Sequence, residues 1–318
     1  MSSTPINPTA EIDPEETISG EIVLDTRIET EPRLQPAGEK TTLGNALFLG
    51  TTQILMILWS VVVIFPFVWM ITTSFKRDME ILTDPFGLPK ALQWDNFSRA
   101  WTSAHIGTYV GNTLIVLSMS LTGTLLISAM AAYVLSRFEF PGNRALFLLF
   151  TAGLMFPMFL GLVPLYFLMD DLHLRNTYVG LALVYIAYSL PFTIFFLMGF
   201  FKTLPSEVAE ASVVDGAGHF QTFFQIMLPM AKPGLIAMGI FNFLGQWNQF
   251  LLPLVLMQSE SRYVLSQGLN FMAIQQGYDN DYSALFAAMT ITMVPTLVVY
   301  ILFQRRLESG LTAGALKG

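Results

Sequence analysis

Six long apolar stretches separated by polar segments set out the plan of this chain. They cover residues 46–71, 109–136, 145–169, 178–201, 234–257 and 284–303, and none contains Asp, Glu, Lys or Arg. Each reaches the roughly 20 residues that a helix needs to cross a bilayer. The first is longer, an excess that tilt or a kink at Pro66 would absorb. The pattern predicts an all-α integral membrane protein with six transmembrane helices and both termini on one side.

The polar segments differ in kind. Residues 1–40 are rich in Glu, Thr and Pro with no apolar period, and predict a disordered cytoplasmic tail ahead of a six-helix domain at 41–318. They lack the basic start and apolar core of a signal peptide. Gly38-Glu39-Lys40-Thr41 imitates part of a phosphate-binding loop but lacks Gly directly before the Lys. Residues 76–106, with Pro85-Phe86-Gly87 and Trp94-Asp95-Asn96, predict a long external loop, and 258–283 predict another. Short turns are expected at 137–144 and 170–175, and Arg305-Arg306 stop the last span.

The segment at 204–233 is polar and helix-forming where everything around it is apolar. Pro205 suits a first helical position, Glu207 places negative charge in the first turn, and Gly216 suits a left-handed residue that ends a helix. Phe220, Phe223, Phe224 and Met227 then recur at helical spacing until Pro229 and Pro233. Two short helices at an angle are predicted. Asp215 is placed either to cap the second of them or to meet a partner.

Glu210-Ala211-Ser212, then Gly216, then Ile226-Met227-Leu228-Pro229 resembles the cytoplasmic coupling loop of permease subunits of ABC importers. Ser212 departs from the usual second Ala, a small-for-small change. The resemblance runs from about residue 65 to the C-terminus through Asn112-Thr113, Arg137-Phe138, Trp247-Asn248 and the ending Gly310-Leu311-Thr312-Ala313-Gly314-Ala315-Leu316-Lys317-Gly318. These outlying matches are similar to the carbohydrate-uptake, maltose-type branch. The resemblance implies the type I importer fold with a coupling helix, and contact with ATPase subunits through Glu207, Glu210, Ala211, Ser212, Asp215, Gly216, Ile226, Leu228 and Pro229. It also implies a second homologous permease, two ATP-binding subunits carrying ATP and magnesium, an extracytoplasmic solute-binding protein and a saccharide. No cofactor or metal is expected on this chain itself.

Composition narrows the class further. The chain has 318 residues, 53% hydrophobic and 12% charged, with mean hydropathy +0.56, too apolar for an ordinary soluble domain. It has no Cys and three scattered His, which excludes disulfides, thiolate chemistry and a histidine metal cluster. Of the formal charge of −7, all but −1 falls in residues 1–40, so nucleic acid is not an expected partner. Spans without ionisable groups argue against an ion-coupled carrier, which places such groups inside the membrane. With no nucleotide site or catalytic triad either, the chain is read as no enzyme, and the energy must come from another polypeptide.

For the cargo, Asn242, Gln246, Trp247, Asn248 and Gln249 put uncharged polar groups into the fifth span. They would suit the hydroxyls of a neutral saccharide, but such amides also hold helices together in membranes, the reading preferred for them here. A glycerol-phosphate-type polyol is the alternative cargo, and a secondary carrier the alternative class. Orientation from charge is weak. With the termini inside, eight Lys or Arg from residue 40 onward flank the cytoplasmic side against six outside, and Lys76-Arg77 sit on the wrong side. The resemblance decides for cytoplasmic termini in the cell membrane.

Overall fold

A backbone in hydrocarbon must satisfy its own N–H and C=O groups, so apolar runs of this length fold as helices. The computed structural model describes residues 43–279 and 281–315, with side chains over 47–275 and 281–305. The tail expected at 1–40 and the last three residues of the chain lie outside the described residues. Residues 1–58 and 59–318 form two units. In the first, α1 (Leu43–Thr73) begins, and Thr51 and Thr52 donate to Leu47 O and Phe48 O of their own helix.

The second unit takes in the rest of α1 and, among the described residues, thirteen further helices. After α1 come α2 (Asp78–Thr83), α3 (Asp95–Thr102), α4 (Ile106–Arg137), α5 (Asn143–Met155), α6 (Met158–Asp171) and α7 (Tyr178–Thr203). Then follow α8 (Ser206–Val214), α9 (His219–Gln221), a π-turn (Thr222–Met227), α10 (Leu228–Met230) and α11 (Lys232–Trp247). The chain closes with α12 (Leu251–Leu256), a short 3-10 turn, α13 (Leu265–Asp279) and α14 (Tyr282–Ala315). Among the described residues four helices are long and apolar enough to cross a bilayer alone: Leu47–Thr73, Ile106–Arg137, Tyr178–Thr203 and Tyr282–Arg305. Two bent pairs raise the number of spans to as many as six.

The bends have identifiable causes. The stretch predicted at 145–169 breaks into α5 and α6 at 103°. Phe156 precedes Pro157 and both are extended there, because the proline ring disfavours helical backbone at the residue before it. Pro66, Pro164, Pro191 and Pro295 instead lie inside continuous helices. Pro229 does not end the helical run as expected: α10 continues past it, and the chain turns by 72° at Ala231, with Pro233 in the first turn of α11. Proline there gives up an N–H that would have no partner in any case.

The stretch predicted at 234–257 is likewise divided, into α11 and α12. Side chains repair the gap: Asn248 Nδ2 donates to Leu244 O at 2.8 Å and Leu251 N donates to Gln249 Oε1 at 3.2 Å. The segments expected as loops at 76–106 and 258–283 contain α2, α3 and α13. α3 and α13 turn Ala100, Leu265 and Met272 into a buried cluster with Tyr109 and Trp247.

Helices α4 and α7 form the most extensive pairing. Small residues allow it, and a Cβ on Gly123 would come within 2.5 Å of Ile186. At the N-terminal end of α4 the connections are tied down. Lys76, 1% exposed, donates through Nζ to Asp84 O and Pro85 O at 2.9 and 3.1 Å, and Asn96 Nδ2 donates to Ser74 O and Lys76 O. The charge that argued against the orientation is thus engaged in holding its own loop. Arg99 donates to both oxygens of Asp281 at 3.0 Å. Burial raises the Asp281 carboxyl, but the bonds from Arg99 and the Ala284 N–H outweigh it and hold the group below its ordinary value. Charged residues of the spanning helices fall at their ends, as with Arg137, Asp170 and Lys202.

Candidate functional site

At the other end of α4, the loop at 204–233 starts from a fixed point. Arg137 Nη2 donates to Phe201 O and Leu204 O at 2.7 and 2.5 Å, which gives the last carbonyls of α7 a cationic cap. Pro205 is extended and acts as the N-cap, one place earlier than expected, and α8 begins at Ser206. The helix ends in a Schellman turn: Ala217 N donates to Ser212 O, Gly216 N donates to Val213 O, and Gly216 has φ +86°. A residue with a Cβ pays roughly 1–2 kcal/mol for that left-handed conformation, which is why Gly stands there. Asp215 is the C-cap of α8 and does not cap the next helix, whose N-cap is Gly218 without a side-chain bond.

The nine residues of α8 divide by face. Glu207, Glu210, Ala211 and Val214 follow the i, i+3, i+4, i+7 spacing and are exposed, Val214 at 88%. Among the described residues neither glutamate has a hydrogen-bonding or ionic partner. The opposite face carries Ala209, which packs on the core, and Ser212, which is buried. Ile226 and Leu228 also pack inward, against a cluster that contains Tyr133, Phe201 and Met227, while Pro229 is exposed. The nine residues expected to meet a partner therefore separate into an outer surface and its support.

The polar residues of the fifth stretch separate too. Ser120 Oγ of α4 donates to Gln246 Oε1 at 2.5 Å, Gln246 Nε2 donates to Ser189 Oγ of α7 at 3.1 Å, and Asn242 Nδ2 donates to Thr193 Oγ1 at 3.0 Å. Both amides are thus ties among α4, α7 and α11. Trp247 is buried, stacks on Phe243 at 5.6 Å and donates its indole N–H to Thr292 O. Asn248 bonds back to α11 and is exposed.

Beside these ties lies a cleft of about 420 Å³, lined by Asn242, Gln246 and Gln249 together with Tyr188, Phe156 and Phe241, with no charged side chain in its wall. Trp247 and Asn248 do not line it. Reading the sequence missed Tyr188, Ser189 and Thr193. The available signal was the matching four-residue spacing of Ser189 and Thr193 on α7 and of Asn242 and Gln246 on α11, two polar pairs on otherwise apolar helices.

With this geometry in place, the chain can be set beside known proteins. The sequence profile of the family described as "Binding-protein-dependent transport system inner membrane component" matches residues 123–313, a stretch that contains α8. The chain is 50% identical over 270 residues to the diacetylchitobiose uptake system permease protein NgcG of Streptomyces coelicolor, covering 85% of this chain and 89% of that one. It is 34% identical over 267 residues to the trehalose/maltose transport system permease protein MalG of Thermococcus litoralis, covering 82% and 94%. In three dimensions it superposes with TM-score 0.74 and 19% identity on a chain of a bacterial ABC transporter involved in the import of the acidic polysaccharide alginate, over 83% and 98% of the two chains.

Proposed function

The chain belongs to the family of binding-protein-dependent transport system inner membrane components, and we propose that its cargo is a neutral saccharide delivered by an extracytoplasmic solute-binding protein. It is a multi-pass membrane permease subunit of an ABC importer for a sugar or oligosaccharide, and no enzyme. ATP and magnesium are held by two ATP-binding subunits, one of which receives the outer face of α8. A second, homologous permease completes the pathway. α8 and both termini face the cytoplasm, the compartment that contains ATP.

The observation that supports this reading best is the division of α8, whose outer face of Glu207, Glu210, Ala211 and Val214 is exposed and, among the described residues, unpartnered, on a buried support. For the cargo, the cleft offers aromatic walls at Tyr188, Phe156 and Phe241 and uncharged amides at its edge. A phosphorylated polyol is not favoured, because nothing cationic lines the cleft, nor is an ion-coupled carrier. Purification of the tagged chain in mild detergent is expected to bring down two ATPases and a second permease in stoichiometric amounts. Uptake should follow ATP when the proton gradient is collapsed. Uptake that stops with the gradient while ATP is maintained would overturn the reading.

A further inference from the structure

Ser212 stands where the usual residue of this motif has no hydroxyl, and here the hydroxyl is engaged. Ser212 is 6% exposed, Thr222 is 2% exposed, and their oxygens lie 3.0 Å apart. Ser212 Oγ also lies 2.7 Å from Ala209 O, to which it donates. A hydroxyl has one proton, so the proton between the two residues must come from Thr222 Oγ1. Ser212 thus accepts from Thr222 while it donates to its own helix. Thr222 is the first residue of the π-turn.

π-turns are rare single-turn features that are frequent at functional sites. This one runs from Thr222 to Met227, which is wholly buried among Tyr133 and Phe201, and leads through α10 into α11. α11 carries Asn242 and Gln246, the ties beside the cleft. Ala209 of α8 also packs on the cluster that contains Phe223 and Met227 of the π-turn, while the covalent link between the two, residues 215–221, is mostly exposed.

We propose that Ser212 and Thr222 are positioning residues that fasten the coupling helix to the π-turn, so that a displacement of α8 is passed to α11 and the cleft rather than lost in the linking turn. This rests on the transport reading above. The bond orders no partner surface, since both hydroxyls are buried beneath the exposed face of α8.

The test uses the assembled transporter in lipid vesicles with its binding protein and N,N′-diacetylchitobiose as probe. Thr222→Val keeps shape and removes the donated proton, Thr222→Ser keeps the proton, and Ser212→Ala removes the acceptor. In Thr222→Val the ratio of stimulated to basal ATP hydrolysis should fall about fivefold, the factor that a hydrogen bond of ~1 kcal/mol represents. Thr222→Ser should restore it. Ser212→Ala should act in the same direction, and the double variant Ser212→Ala/Thr222→Val should do no more harm than Thr222→Val alone.

A wild-type ratio in Thr222→Val, or effects that simply add in the double variant, would overturn the proposal. A second measurement needs no cargo: spin labels at Val214→Cys and Lys232→Cys in the otherwise cysteine-free chain report the spread of distances between α8 and α11. Thr222→Val should widen that spread and Thr222→Ser should not; an unchanged spread overturns the latch. If wild type shows no stimulation with this probe, diacetylchitobiose is not its cargo, and the label spread alone decides the latch.

Discussion

The two ends of α4 are built on opposite principles. At its N-terminal end the connections are knitted to one another: Lys76 and Asn96 bind the loop after α1, Asn112 Nδ2 donates to Ser261 O and Tyr263 O, and Gln258 N and Ser259 N donate to Asn176 Oδ1. Among the described residues the ion pairs of Arg99 with Asp95 and Asp281 and of Arg175 with Asp170 all lie at this end. At the C-terminal end the base is fixed by Arg137 and by Asn143, whose Nδ2 donates to Phe138 O, yet among the described residues the outer face of α8 is left without side-chain bonds. The first end is braced by its own bonds. The second presents a helix face that, among the described residues, has none, which fits the partner contact proposed above.

The largest effect is expected from the unfinished end. Gly216→Val forces a branched side chain into φ +86°, and Glu210→Lys reverses charge on the outer face without altering backbone. Both chains should insert and pair with the second permease, while co-purified ATPase and uptake fall at least about tenfold, as expected when ~1.4 kcal/mol or more of contact is lost. Normal ATPase recovery in both would erase the contrast between the ends. Next comes Asn96→Ala at the knitted end, which leaves Ser74 O and Lys76 O without their donor. It should destabilise the detergent-solubilised chain by about 2 kcal/mol, read as a lower melting temperature with ATPase recovery unchanged.

A smaller effect, and a pH-dependent one, is expected from the Arg99 pair. The Asp281 carboxyl lies below its ordinary value of 3.8, so its contribution is fully present above that value and is lost as pH falls through the depressed one. Wild type should melt higher than Asp281→Asn at pH 5 to 7, and the gap should close below about pH 3.8. A gap that persists in acid would assign the effect to packing. The smallest effect is that of labels alone: Ser206→Cys and Ser261→Cys should leave uptake within about twofold. Impermeant maleimide in intact cells should reach position 261 and not 206.

The sequence was most legible where one property decides the structure. Apolar length placed α4 and α7 within three residues, 109–136 against Ile106–Arg137 and 178–201 against Tyr178–Thr203. Gly216 was legible because few other residues tolerate a positive φ. Breaks were not: six prolines lie inside the apolar runs, and only the backbone of Phe156 and Pro157 shows which one divides a span. The amides were ambiguous for a related reason. Asn242 and Gln246 have the same chemistry whether they meet a sugar or Thr193 and Ser189, and the partner that decides is some fifty residues away in sequence. Likewise Ser212 read as a small residue in place of another, and its hydroxyl gained meaning only when Thr222 lay beneath it.

The confinement of charged residues to the ends of the spanning helices has an electrical consequence. Carrying one elementary charge through the membrane field takes about 2.3 kcal/mol per 100 mV. Helices whose interiors hold no formal charge can tilt or rock in that field while moving almost none, so their motion does almost no electrical work. A neutral saccharide adds nothing to that account. The step made by this subunit should therefore run at the same rate in polarised and depolarised cells. On the reading proposed above, its pace should follow nucleotide supply and not membrane voltage, which would let a cell go on feeding while that voltage is spent on other tasks.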